Sequence, residues 1–261
     1  MPANAAYPFL DWPGPIAFAH RGGASDGLEN SLAAFAQAVA LGFRYLETDV
    51  HATADGVLLA FHDSTLDRVT DRVGRVVELP WTTVRAARIG GREPIPLLED
   101  VLGTWPEVRV NVDVKHASAI GPLVDVVRRT GALERVCVAS FSERRLSAVR
   151  RQLGPRLCTS LGPRGVALLR LAATHDRAGF LAGGGRSAAP CAQVPDRVGP
   201  LRVVTPGLVR LAHQRGQRVH VWTVDDPAEM HRLLDVGVDG LMTDRPDALR
   251  QVFRDRGLWR P

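Results

Sequence analysis

Three short apolar runs near the start of the chain each end in side chains able to move protons or hold charge. The first, Ile16 to Ala19, closes in His20-Arg21-Gly22-Gly23, where the glycines let a buried strand exit sharply. The second carries Glu47 and Asp49, two apart, so a strand places both carboxylates on one face and Leu46, Thr48 and Val50 on the other. Half-buried carboxylates side by side repel and require a proton or a cation between them. The third, Val57 to Phe61, ends in His62-Asp63 and follows Asp55-Gly56, a two-residue hairpin signal. With that pair as the turn, Ala54 opposes Val57 and Asp49 stands directly across from His62 on one face. A longer turn would slide the register by one residue and carry His62 to the other face. Taken singly, these residues also have plainer readings, His20 as a satisfied core histidine and the Glu47 run as a polar edge strand.

The groups need a frame, and short apolar runs alternating with amphipathic stretches supply it. Asn30 or Ser31 can cap a helix with Leu32, Phe35 and Val39 at helical spacing and Gly42 as its stop. Ser64 to Pro106 breaks the pattern and reads as an excursion on the catalytic face, with a short helix near 97–102; its Asp67, Arg68 and Thr70 read as solvated or capping groups. From Val108 to Lys115 the alternation places Asn111, Asp113 and Lys115 together on one face. Ser142, Thr205-Pro206 and Asp226-Pro227 open further helices. With the hairpin partner set aside, strands near residues 18, 47, 111, 138, 158, 193, 221 and 242 number about eight.

That count predicts an α/β chain closed as a TIM-type (β/α)8 barrel, in which active groups gather at the C-terminal ends of the strands. A doubly wound sheet is disfavoured because no Gly-x-Gly-x-x-Gly turn follows the first strand. Residues 1–261 are expected to form one domain, with 64–107 as an insertion. Residues 162–199 are the least readable; Gly183-Gly-Gly185 and Ser187 to Pro190 suggest a mobile loop.

Composition narrows the partners. The chain is 45% hydrophobic and 23% charged, enough for a sizeable core, and its net charge of +5 comes mostly from dispersed Arg. Dispersed positive charge suits small anions, and no aromatic residues interleave with basic ones as a nucleic-acid surface would require. Cys137, Cys158 and Cys191 are odd in number and widely spaced, which indicates neither a disulfide framework nor a zinc site; they are expected to be reduced and buried. Residues 1–12 carry no basic residue and no long apolar run, and no stretch approaches the ~20 apolar residues of a membrane span. A cytoplasmic protein without stable membrane insertion is expected, and the sequence is silent on its oligomeric state.

The ordered set His20-Arg21-Gly22, Glu29-Asn30-Ser31, Glu47-x-Asp49, Thr53-x-Asp55-Gly56 and His62-Asp63 resembles the glycerophosphodiester phosphodiesterase family. The likeness continues through Ile95-Pro96-x-Leu98, Asp113-x-Lys115, Ser140-Phe141, Val221-Trp222-Thr223-Val224 and Gly237-Val-Asp-Gly240 to Thr243-Asp244, nearly the whole chain. It implies a barrel in which two histidines act as an acid/base pair, three carboxylates hold a metal, and the products are an alcohol and glycerol 3-phosphate.

The residue chemistry agrees. Glu47, Asp49 and Asp113 offer only oxygen, which selects one hard divalent cation, Mg2+ or Ca2+, over zinc. Arg21 and Lys115 suit a phosphate, and His20 and His62 are the acid and base candidates, since imidazole as a group can both remove and deliver a proton near neutral pH. Asp113 stands where the family usually has Glu, one methylene longer. Glu29 is a site residue in the family and locally also a helix N-terminal acid; Trp222 either stacks on the substrate's glycerol or fills the barrel mouth. His51 is read as a rim residue, and His116, His175, His213, His220 and His231 as structural. Two alternatives remain for the activity, a lysophospholipase D-like lipid phosphodiesterase and a non-catalytic phosphate-binding barrel. A Schiff-base aldolase using Lys115 is disfavoured, because the paired acids would hold the lysine's pKa up.

Overall fold

In a computed structural model of the chain, which describes residues 7–24, 27–174 and 189–261, the apolar runs become parallel strands and the amphipathic stretches become the helices between them. The strands are β1 (Ile16–His20), β2 (Tyr45–Ala52), β3 (Arg109–Val114), β4 (Val136–Ala139), β5 (Cys158–Thr159), β6 (Cys191–Pro195), β7 (Arg218–Trp222) and β8 (Gly240–Thr243). After them come α1 (Leu32–Ala40), α2 (Leu98–Thr104), α3 (Ile120–Arg129), α4 (Glu143–Leu153), α5 (Pro163–Thr174), α6 (Pro206–Gln214), α7 (Pro227–Val236) and α8 (Pro246–Asp255). Neighbours run β5-β4-β3-β2-β1-β8-β7-β6. A parallel bridge from Ser160 to Cys191 joins the two ends, making the (β/α)8 barrel.

All eight residues of β2 are buried, because one face meets the helices and the other the barrel interior. Helix starts are fixed by side-chain caps. Ser31 accepts from Ala34 N at 3.1 Å, Thr205 from Leu208 N at 3.2 Å and Asp226 from Ala228 N at 3.1 Å, and proline opens α6, α7 and α8. An outer core lies between sheet and helices, while Phe9, Leu10, Phe18, Tyr45 and Met242 pack with the three cysteines in a separate inner one. The excursion after β2 has a core of its own, built on Leu59, Phe61, Leu66, Val76, Ile89 and Ile95. Of the loop expected at Gly183 to Gly185 and Ser187 to Pro190, residues 183–188 lie outside the described residues, as does His175.

The hairpin corrects one expectation. Its second strand, Leu58–Ala60, pairs Ala52 with Leu58 and Val50 with Ala60, so Asp49 lies across from Phe61, not His62. The turn is three residues long, with Thr53 N donating to Val57 O at 3.0 Å and Gly56 left-handed at φ 82°. Asp55 causes this, since its Oδ1 accepts from Thr53 Oγ1 at 2.6 Å and from Trp81 N at 2.9 Å, pulling the loop open. The strand ends at Ala60, before His62, so the ring is placed by the chain beyond the ladder and not by strand alternation.

Candidate active site

The mouth of the barrel is assembled from strand ends. β1 ends in His20, which pairs in register with Glu47 on β2, and Asp49 pairs with Asp113 on β3. Just past β1, Arg21 and Asn30 are left-handed at φ 53° and 59°, a strained conformation for residues other than glycine, held by Asn30 N donating to Arg21 O at 2.8 Å. Ser31, not Asn30, caps α1. Asn30 instead accepts from Thr48 Oγ1 at 2.6 Å and donates to Asp49 Oδ2 at 3.3 Å, fixing that carboxylate's direction.

Both histidines are anchored alike. His20 Nδ1 lies 2.6 Å from Asp244 Oδ1 beyond β8, with Nε2 3.7 Å from Glu47 Oε2; His62 Nδ1 lies 2.6 Å from Asp63 Oδ1. Each ring therefore gives one nitrogen to a carboxylate and keeps Nε2 for other work. Burial alone would lower the His20 pKa, but Glu47 and Asp244 together raise it. Hydrogen bonds from Arg68 hold Asp63 at about 2. Arg68 also grips Glu29 at 2.7 and 2.9 Å, and Arg21 donates to Glu29 at 2.9 Å, so His62, Asp63, Arg68, Glu29 and Arg21 form one chain of contacts. Arg68 is thus tied into the site while staying about half exposed, as expected of a solvated residue, and His51 is buried with Nε2 3.0 Å from His62 O and not on the rim.

Charge at the centre is unbalanced. Lys115 Nζ lies 2.8 Å from Asp49 Oδ1 and 2.7 Å from Asp113 Oδ2. Burial would raise Asp49, yet Lys115 and Arg21 hold it down; burial raises Asp113 despite Lys115. For Glu47, the pull of His20, Lys115 and Arg21 does not offset burial. Burial first, then the charge on Asp49, pushes it up to about 8. Trp222, at the end of β7, meets Phe141 edge to face at 5.6 Å, and Lys115 Nζ lies 5.8 Å from the Phe141 ring. Phe141 is 62% exposed, leaving an aromatic wall open to a ligand. A cavity of about 350 Å³ lies at the opposite end of the barrel, beside Trp12, Arg44, Glu107 and Arg135, away from all these groups.

The residues fit a hard cation on two observations. Asp113 Oδ1 is buried without a hydrogen-bond partner, and burial beside Asp49 pushes Glu47 up despite His20, Lys115 and Arg21 nearby, so added positive charge there would be favourable. In the conformation described, Lys115 occupies the space between Asp49 and Asp113, and Glu47, Asp49 and Asp113 do not all lie within 4.8 Å of one another; holding one ion requires them to draw together.

His20, Arg21, Glu29, Glu47, Asp49, His62, Asp113, Lys115 and Trp222 all lie at or beside this mouth. Asp244, Arg68 and Asn30 were missed as site groups; the motif Thr243-Asp244 at the last strand's end was the available signal for the first.

Comparison with known proteins adds an independent line. The model of the "Glycerophosphoryl diester phosphodiesterase family" matches residues 20–248. A Mycobacterium tuberculosis protein named "Probable glycerophosphodiester phosphodiesterase 2" is 46% identical over 252 residues, covering 96% of this chain and 95% of that protein. A Caldanaerobacter subterraneus glycerophosphodiester phosphodiesterase is 28% identical over 263 residues, covering 93% and 99%. An Oleispira antarctica phosphodiesterase, solved in complex with the product sn-glycerol-3-phosphate, has the same fold with a TM-score of 0.76 at 20% identity, covering 92% and 97%.

Proposed function

Since the chain belongs to the glycerophosphoryl diester phosphodiesterase family and is a phosphoric diester hydrolase, we propose that it hydrolyses glycerophosphodiesters to an alcohol and glycerol 3-phosphate with His20 and His62 as its acid/base pair. The observation that carries this reading is the matched anchoring of the two rings at 2.6 Å, each leaving Nε2 for proton transfer. One ring takes a proton from the attacking water as its oxygen bonds phosphorus, and the other delivers a proton to the departing alcohol oxygen. Arg21 and Lys115 receive the phosphate, Arg as a fork and Lys as a point charge, exchanging part of their contact with Glu29, Asp49 and Asp113 for the substrate. Glu29 holds Arg21 in place, and Trp222 with Phe141 walls the glycerol side. A divalent ion on Glu47, Asp49 and Asp113, Mg2+ or Ca2+, would neutralise their repulsion and polarise a phosphoryl oxygen. Three unbridged cysteines suit a reducing compartment, and we assign the enzyme to the cytoplasm as one barrel domain.

The assay is release of choline and glycerol 3-phosphate from glycerophosphocholine. Changing His20→Ala or His62→Ala is expected to cost ~10²–10⁴-fold in kcat while the thermal midpoint stays put; near-normal turnover in both would sink the assignment. A second reading, hydrolysis of a lysophospholipid, is favoured by the exposed Leu168 and Leu171 on α5 and Val198 and Leu201 after β6. Faster turnover of lysophosphatidylcholine than of glycerophosphocholine would select it.

A further inference from the structure

Away from the mouth, the barrel gathers three sulfurs that the chemistry above does not use. Cys137 and Cys158 are register partners on β4 and β5, and the bridge that closes the barrel brings in Cys191 at the start of β6. Their Sγ atoms all lie within 4.8 Å of one another, with Cys137 and Cys191 at 3.9 Å. An ion bound to sulfur at ~2.3 Å with near-tetrahedral angles sets its sulfurs about 3.8 Å apart, so small side-chain movements complete a coordination shell. The three thiols are 0–2% exposed, packed with Phe9, Phe18, Tyr45 and Met242.

A second observation points to the same place. His220 on β7 is fully buried, and its Nε2 has no hydrogen-bond partner. Gln193 Nε2 lies 3.5 Å from the ring's Nδ1 and donates to Asn111 Oδ1 at 2.8 Å. With Nδ1 accepting from that amide, the ring's N–H is at Nε2, a buried donor in need of an acceptor. Three enclosed sulfurs in mutual contact are a donor set that a soft cation completes by displacing the thiol protons.

We propose that Cys137, Cys158 and Cys191 form a second metal site inside the barrel, selective for a thiophilic d10 cation, with His220 donating a hydrogen bond to the bound sulfurs. It is separate from the carboxylate site, whose oxygen donors prefer hard ions.

Because the sulfurs are enclosed, the cation must enter during folding. The full chain is refolded from denaturant under reducing conditions with Cd2+ as the probe, then washed with chelator. The expected result is one retained cadmium per chain and a sulfur-to-cadmium charge-transfer band in the ultraviolet. The band should persist in Asp49→Asn and vanish in Cys191→Ser and Cys158→Ala, while His220→Phe should weaken retention at least tenfold. Absence of the band in the folded wild-type protein overturns the proposal, whatever the variants do. So does a thiol count of one in the refolded chain, which would mean that two of the sulfurs have joined as a disulfide.

Discussion

Asp244 is reached only through the fold, 224 residues from His20, so changing it tests the geometry directly. Asp244→Ala removes the 2.6 Å partner of His20 Nδ1, while the backbone there stays tied by Asp244 N to Asp225 Oδ1 at 2.8 Å. A hydrogen bond to a charged group contributes ~1.5–3 kcal/mol. The Asp244 side chain is 32% exposed, so screening favours the lower half of that range. A loss of ~1.5–2 kcal/mol in transition-state stabilisation is about 10–30-fold in kcat. Asp244 is also one of the groups raising the His20 pKa, so the corresponding limb of the kcat profile should move to lower pH. Steady-state kinetics on glycerophosphocholine from pH 5 to 9 should show both changes, with KM within about threefold and an unchanged thermal midpoint. Asp244→Asn, which keeps an acceptor without the charge, should fall between wild type and Ala. If kcat for Asp244→Ala stays within twofold and the profile does not move, the anchored-ring account of His20 is wrong.

Two further outcomes follow from the same coordinates. Glu47 is pushed up to about 8, so the folded, chelator-treated protein keeps a proton that the unfolded chain releases above its ordinary carboxylate range. With the native state binding more protons across that window, stability should fall as pH rises from about 5 to 8, by up to ~1.4 kcal/mol per unit; Asp113 and His20, also raised, act with the same sign. Thermal midpoints in EDTA should therefore decline with pH, less steeply for Glu47→Gln and less steeply with added Mg2+; a rising midpoint would contradict the assignment. Gly22 sits at φ 80°, and a Cβ there would lie 2.8 Å from Phe35 N and 2.9 Å from Ala34 C, both backbone atoms. Gly22→Ala should cost about 2–5 kcal/mol, combining left-handed strain with overpacking, read as a lower urea midpoint at constant m; a shift equivalent to under about 0.5 kcal/mol would show that the turn after β1 yields freely.

Most of the barrel was legible because buried parallel strands are short apolar runs that cannot be hidden, and the caps at Ser31, Ser142, Thr205 and Asp226 announce their helices. The hairpin register was not, because Asp55-Gly56 reads as a two-residue turn until Trp81, 26 residues on, claims the Asp55 side chain. The partners of the exposed Arg68 were not legible, because nothing local shows that it spans Glu29 and Asp63. Asn30 looked like a cap because its true partners, Thr48 and Asp49, belong to the next strand. The cysteines were spaced too widely to suggest one site, and only the closure of β5 onto β6 unites them. What local patterns encode was read; what long-range closure creates was not.

The central claim is that Glu47, Asp49 and Asp113 serve a divalent cation at the site where His20 and His62 move protons. The most direct measurement is glycerophosphocholine hydrolysis by protein stripped with chelator and then reloaded. The account predicts that stripping abolishes release of glycerol 3-phosphate, that Mg2+ or Ca2+ restores it, and that Asp49→Asn is not rescued by either ion. Full activity in the stripped enzyme, with no response to added cation, would contradict it.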